Sequence, residues 1–293
     1  MNFVQRGILA DPPPLARHLF FACQPAGDFA KALLALQPLA DGDRVVVGVG
    51  KSLVLALGRE IPGLRIFPAL AGAGIDVPST PFALWCWLRG EDRGELLHGT
   101  RAIRSAVAPA FRLDRVIDAF RYGAGLDLTG YEDGTENPKG DAAKETAILS
   151  GGAGLAGSSF VAVQQWVHDL DRFEGMGRTM QDHTIGRRRE DNVELDDAPE
   201  SAHVKRTAQE DFAPPAFLLR RSMPWADARG EGLVFVAFAR DFSPFEAQLR
   251  KMLGLEDGVT DALFRFSRPV SGSYFWCPPM GKDARLDLTR LLS

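Results

Sequence analysis

Cysteine is scarce in this chain: Cys23, Cys86 and Cys277 are the only three in 293 residues, and they lie far apart. No Cys-x-x-Cys pair occurs, which leaves out a zinc knuckle and a thioredoxin-type redox pair. Histidine is nearly as rare. None of His18, His98, His168, His183 and His203 is paired at the close helical spacing of a zincin. Each alone is more ordinarily a packing or surface residue than a ligand. Apolar runs stop well short of the roughly 20 residues that a membrane-spanning helix needs. Met1 to Ala10 has no basic region leading into an apolar core, and Asp11-Pro12-Pro13-Pro14 follows at once, which argues against a signal peptide. A soluble, cytoplasmic protein is expected. Positive charge is not in excess either, because the net charge is −4. The one basic run, Arg187-Arg188-Arg189, leads straight into Glu190, Asp191, Glu194, Asp196 and Asp197. Mixed signs of this kind mark a solvated loop rather than a polyanion-binding patch, so neither nucleic acid nor membrane is expected as a partner.

What the chain does have is apolar material for a substantial core, with 45% hydrophobic and 25% charged residues. Two halves with a similar order of elements can be read. In the first, Leu19 to Cys23, Arg44 to Val49 and Phe82 to Leu88 read as strands, Asp28 to Leu36 as a helix, and Ala102 to Ala108 as a further helix. In the second, strands are expected at Ser159 to Val167, Ala216 to Arg220 and Leu233 to Ala239, with a helix over Leu170 to His183. Ser243-Pro244-Phe245-Glu246 opens another helix with Ser243 as its cap, and Gly254 closes it. The glycine-rich stretch Ser150 to Ser158 divides the chain into residues 1–150 and 151–293. Several strands follow one another without a helix between them, so antiparallel sheets with helices on one face, an α+β fold, are expected. Gly48-Val49-Gly50-Lys51-Ser52 imitates the end of a phosphate-binding loop, but that motif needs a glycine where Val45 stands.

The densest concentration of chemistry is Gly130-Tyr131-Glu132-Asp133-Gly134-Thr135-Glu136-Asn137-Pro138. Glycines close on either side of Asp133 permit tight turns and keep bulk away from its carboxylate, a suitable arrangement for acid–base work. Taken as a bare string it is equally a polar surface turn. Three other positions stand out by context. His203 follows an acidic segment beginning at Asp191. Arg220 and Arg221 end the strand Ala216 to Arg220, with Ser222 next. Asp261 precedes Ala262-Leu263-Phe264, where a helix-capping role is the ordinary explanation.

Together these four segments, in this order, resemble the dye-decolorizing peroxidases, in particular their shorter-loop bacterial branch (class B type). The Gly-x-x-Asp-Gly signature matches Gly130 to Gly134, and the resemblance extends from Asp127 to Pro278. It implies two ferredoxin-like halves packed as an α+β barrel. It also implies a haem enzyme in which His203 is the axial ligand and metal-binding residue, and Asp261 accepts a hydrogen bond from it. Asp133 and Arg220 then serve catalysis on the peroxide side, with Ser222 within the family's range at its position. Arg187 is the candidate for a haem propionate contact. With no Cys-x-x-Cys-His present, the haem would be haem b, held non-covalently. The implied activity is reduction of hydrogen peroxide through a ferryl intermediate with oxidation of small aromatic reductants such as dyes and phenols. The alternative is a haem-handling protein for storage, transfer or iron release, with incidental peroxidase activity. A homo-oligomer is expected, and no feature of the chain supports packaging in an encapsulating shell.

Overall fold

A computed structural model describes residues 3–152 and 154–293, so residue 153, inside the stretch taken as the boundary between halves, lies outside the description. Among the described residues the strands are, in chain order, β1 (Leu15–Cys23), β2 (Val45–Val49), β3 (Leu70–Gly72), β4 (Ile75–Val77), β5 (Leu84–Gly90), β6 (Phe111–Phe120), β7 (Ser159–His168), β8 (Leu219–Arg220), β9 (Met223–Asp227), β10 (Gly230–Ala239), β11 (Ser267–Pro269) and β12 (Ser273–Cys277). Helices α1 (Phe29–Leu36), α2 (Lys51–Ala56), α3 (Arg93–Val107), α4 (Gly140–Ala147), α5 (Leu170–Glu174), α6 (Arg178–Ile185), α7 (His203–Arg206) and α8 (Ser243–Met252) are interleaved with them.

Eight of the strands run β7-β12-β2-β5-β1-β6-β9-β10, and β10 pairs with β7 to close the barrel, all antiparallel. The first half supplies β2-β5-β1-β6 and the second supplies β9-β10-β7-β12. Each set puts its first and third strands in the middle, as in a ferredoxin-like unit, so the expected α+β barrel of two such halves is what the chain forms. The two seams are thin, with one registered pair each: Trp276 with Val49 and Ala119 with Trp225. At the first seam the buried Gln5 amide donates to the carbonyls of Val47 and Pro278, at 2.9 Å each, and accepts from the Val47 N–H at 2.8 Å. No helix among the described residues is long and apolar enough to cross a membrane.

Several sequence expectations shift in the structure, each for a local reason. The helix expected over Leu170 to His183 is two short helices, α5 and α6, broken at Gly175-Met176-Gly177. The helix begun at Ala102 starts instead at Arg93, because Asp92 caps it by accepting from the Glu95 N–H at 2.9 Å. Ser243 is the first helical residue rather than the cap, and Asp241 accepts its N–H at 2.7 Å. Of the strand expected over Ala216 to Arg220, only β8 pairs with a neighbour. Side-chain amides take over the rest: Gln209 accepts from the Leu218 N–H, and Gln248 donates to the Ala216 carbonyl. Gly50 follows β2, and a Cβ there would stand 1.9 Å from the Phe82 carbonyl oxygen, so the close approach of these two backbone segments accounts for the glycine.

Alternation along the strands sorts side chains to two sides of the wall. One buried cluster holds Phe20, Val46, Trp85, Trp87, Val161, Val163, Val236, Phe238 and Phe275; the other holds Leu19, Val47, Cys86, Phe160, Ala162 and Ala237 with residues of α1 and α8. His18 lies among the first set, stacked on Trp85 and Trp87 at 5.9 and 6.0 Å between ring centres, and both of its nitrogens are without a hydrogen-bond partner among the described residues. Burial lowers its pKa from 6.5 to about 3, so the folded protein keeps this ring neutral. Between these values the unfolded chain binds a proton that the folded chain does not, and stability falls as pH falls. The unfolding free energy of the wild type relative to His18→Leu is therefore expected to drop by roughly 1.4 kcal/mol per pH unit below pH 6.5. Urea unfolding at pH 7 and pH 5 measures it, and parallel curves for the two proteins would show that the ring is hydrated.

Candidate active site

After β6 the chain folds into a loop pinned by two of its own backbone hydrogen bonds. The Asp127 N–H donates to the Tyr131 carbonyl and the Gly130 N–H to the Asp127 carbonyl, both at 2.8 Å. Gly130 and Gly134 have φ of +82° and +73°, a left-handed conformation that glycine takes without strain. The loop turns one side to a cavity that Asp127, Thr129, Tyr131, Glu132 and Asp133 all line. Tyr131 is fixed from behind by its hydroxyl, which donates to the Asp182 carboxylate on α6.

Asn137, three residues past Gly134, does for β8 what a neighbouring strand would do. Its carbonyl oxygen accepts the Arg220 N–H at 2.8 Å, and its amide donates to the Arg220 carbonyl at 3.0 Å. The loop that presents Asp133 thus also fixes the strand that presents Arg220, and both side chains reach the cavity. Arg220 Nε is buried with no partner among the described residues. Burial raises the Asp133 pKa. The Arg220 charge opposes this, while the Asp127 charge reinforces it, and the net shift is upward.

A second pair enters the same cavity from the other side of the sequence. His203 opens α7, and its Nδ1 lies 2.7 Å from Asp261 Oδ2. Asp261 is almost fully buried, and its other oxygen accepts the Leu263 N–H at 2.8 Å, capping the turn Ala262–Arg265. The capping role and the histidine-orienting role are filled by one carboxylate at once. With Nδ1 occupied, Nε2 is the nitrogen that His203 has left for the cavity. Apolar side chains complete the walls, among them Phe235, Phe245, Leu249 and Met252. The cavity is partly open to solvent.

Two other sequence candidates lie elsewhere. Arg187 does not line the cavity: its guanidinium donates to Glu136 at 2.8 Å, to Glu194 at 3.1 Å and to the Asn192 carbonyl at 3.0 Å. Ser222 borders a neighbouring cleft that also touches Asp133 and Arg220, and its hydroxyl accepts the Val236 N–H at 3.3 Å. Asp127, Asn137 and His168 were not marked by the sequence as site residues. Asp127 and Asn137 flank the Gly-x-x-Asp-Gly signature, which was the signal available for them; His168 gave none.

The donor set decides what kind of metal centre fits. No group of three or more His, Cys, Asp or Glu side chains among the described residues is placed to hold a bare metal ion. A single imidazole, oriented by a carboxylate and facing an apolar cavity, would suit an iron whose remaining donors a macrocycle supplies.

Residues 124–282 match the family model of the C-terminal part of Dyp-type peroxidases. A dye-decolorizing peroxidase of Mycobacterium tuberculosis is 33% identical over 243 residues, covering 80% of this chain and 72% of the relative. Among solved structures, a dye-decolorizing protein from V. cholerae superposes with a TM-score of 0.83 at 30% identity, over 93% of this chain and 96% of that one. A DypB variant from Rhodococcus jostii RHA1, solved in complex with haem, gives 0.84 at 25% identity over 98% and 97%. The chain belongs to the Dyp-type, or dye-decolorizing, peroxidase family, and is therefore an enzyme of the oxidoreductase class.

Proposed function

We propose that the protein reduces hydrogen peroxide at a non-covalently held haem b and oxidises aromatic reductants such as dyes and phenols. The observation that carries this reading is the meeting of His203–Asp261 and Asp133–Arg220 in one apolar cavity. His203 Nε2 would hold the iron, and Asp261 would keep the ring oriented and electron-rich through Nδ1. Haem, when bound, supplies the redox chemistry that splits peroxide and holds the oxidising equivalents until a reductant arrives. The chain's own part is proton and charge management. Asp133 takes the proton that peroxide loses on binding and returns it to the departing oxygen. Arg220, with an unpartnered Nε, meets the negative charge that builds on that oxygen. Ser222 supports the turn behind Arg220 by holding β10. Arg187, already engaged by two carboxylates, contributes to the loop rather than to haem.

The test is to load purified protein with haem and follow its absorption after one equivalent of peroxide. One haem per chain is expected, with a spectral change on peroxide that an aromatic reductant reverses. Haem binding with no peroxide consumption would replace this reading by haem storage or transfer.

A further inference from the structure

Peroxide reduction consumes protons as well as electrons: H2O2 + 2 H+ + 2 e− → 2 H2O. A reductant that gives up electrons from outside the cavity brings no proton into it, so protons must come by a separate path. A hydrogen-bonded chain crosses the cavity wall where such a path is needed. Ser267 on β11 and His168 on β7 are register partners, and Ser267 Oγ lies 2.7 Å from His168 Nδ1. His168 Nε2 lies 3.2 Å from Asp127 Oδ1, and the other Asp127 oxygen accepts from the Thr129 N–H and hydroxyl at 2.9 and 2.6 Å. Ser267 and His168 are buried, yet both line the peroxide cavity and also a surface cleft on the other side of the wall. Three acids, Asp169, Asp171 and Glu231, and three arginines, Arg172, Arg265 and Arg268, line that cleft. On the cavity side, besides Asp127 and His168 themselves, the charged or titratable groups are Tyr131, Glu132, Asp133, Arg220 and His203.

We propose that Ser267, His168 and Asp127 form a proton inlet from this cleft to the cavity, an inference that rests on the peroxidase reading. Burial pulls the Asp127 carboxyl upward, but the hydrogen bonds from His168 and Thr129 outweigh it and keep it ionised. An ionised Asp127 assigns the ring hydrogen to Nε2, leaving Nδ1 to accept from Ser267. A cleft water protonates Ser267 as Ser267 passes its own proton to Nδ1. The Nε2 proton then leaves along the bond to Asp127 and into the cavity, and tautomer exchange through water, which returns the remaining ring proton from Nδ1 to Nε2, restores the starting state. One proton enters the chain and one leaves it, with no change in oxidation state.

The experiment uses the haem-loaded protein and two electron donors' worth of ferrocyanide, which gives electrons and no protons. Peroxide cleavage itself exchanges protons internally and needs none from outside. Ser267→Ala is therefore expected to leave the single-turnover peroxide step unchanged while slowing the ferrocyanide steps by roughly tenfold or more at pH 8. The deficit shrinks as pH falls and free protons become abundant, and Ser267→Thr, which keeps the hydroxyl, restores the rate. A readout independent of turnover is the tautomer of His168 by nitrogen-15 NMR in haem-free protein, expected as Nε2–H. Equal slowing of both steps, a pH-independent deficit, no deficit at all, or a ring protonated on Nδ1 alone each overturns the inlet. A wild-type protein that binds haem but does not reduce peroxide overturns the reading beneath it.

Discussion

His203→Ala is expected to lose haem and, with it, peroxide turnover. The hydrogen-bond partners of a metal-ligating histidine alone are worth about 10–100-fold in affinity, so removal of the ligand should weaken haem binding by more than about 100-fold. Haem titration followed by absorption measures this directly. Asp261→Asn makes the informative companion. Its amide oxygen can still accept the Leu263 N–H that Asp261 now accepts, so the turn survives while the charge beneath the ring is gone. A loss of about 10–100-fold in affinity is expected there, with a shifted spectrum. If His203→Ala binds haem as tightly as the wild type does, the ligand has been misassigned and the proposed site with it.

Arg220→Ala should slow the reaction with peroxide by about 10²–10³-fold, the typical worth of one donor aimed at developing negative charge, and by more than Asp133→Ala does. The reason lies in how the two side chains share one environment. Burial and the Asp127 charge both push the Asp133 pKa up, and the Arg220 charge is the largest influence holding it down. Removing Arg220 withdraws charge stabilisation and also leaves Asp133 protonated over a wider pH range, where it cannot accept the proton of peroxide. Removing Asp133 leaves Arg220 in place. The sign follows: wild-type rates fall as pH drops through the Asp133 pKa, and in Arg220→Ala the same fall moves to higher pH. Stopped-flow mixing with peroxide across pH 4 to 8 measures both effects, on a range set by the ordinary span of carboxylate titration and its upward shift. A larger loss in Asp133→Ala, or an unmoved profile in Arg220→Ala, would defeat this account.

The parts of the site that were legible in the sequence are those whose chemistry is local. Glycines beside Asp133, an α+β order of strands and a lone histidine in an acidic context all leave marks within a few residues of themselves. Asp261 was legible too, although its two roles could not be separated until both oxygens had partners. Contacts made across the fold left no such mark. His168 lies 99 positions from Ser267 and 41 from Asp127, and no periodicity links residues so far apart. Arg220 and Arg221 were indistinguishable as neighbours on a strand end. The barrel separates them, because Arg221 turns back to donate to the carbonyls of Ile8 and Leu9 while Arg220 goes to the cavity. Arg187 looked available because its partners, Glu136 and Glu194, are brought to it only by folding.

The loop that carries Asp133 belongs by sequence to the first half and by contact to the second, where Asn137 grips Arg220 and Asn192 reaches Glu132 and Thr135. Neither half therefore owns a complete site. Cut near residue 151, the chain would yield one fragment with Asp133 and another with His203 and Arg220, and the cavity they line would exist only in their reunion.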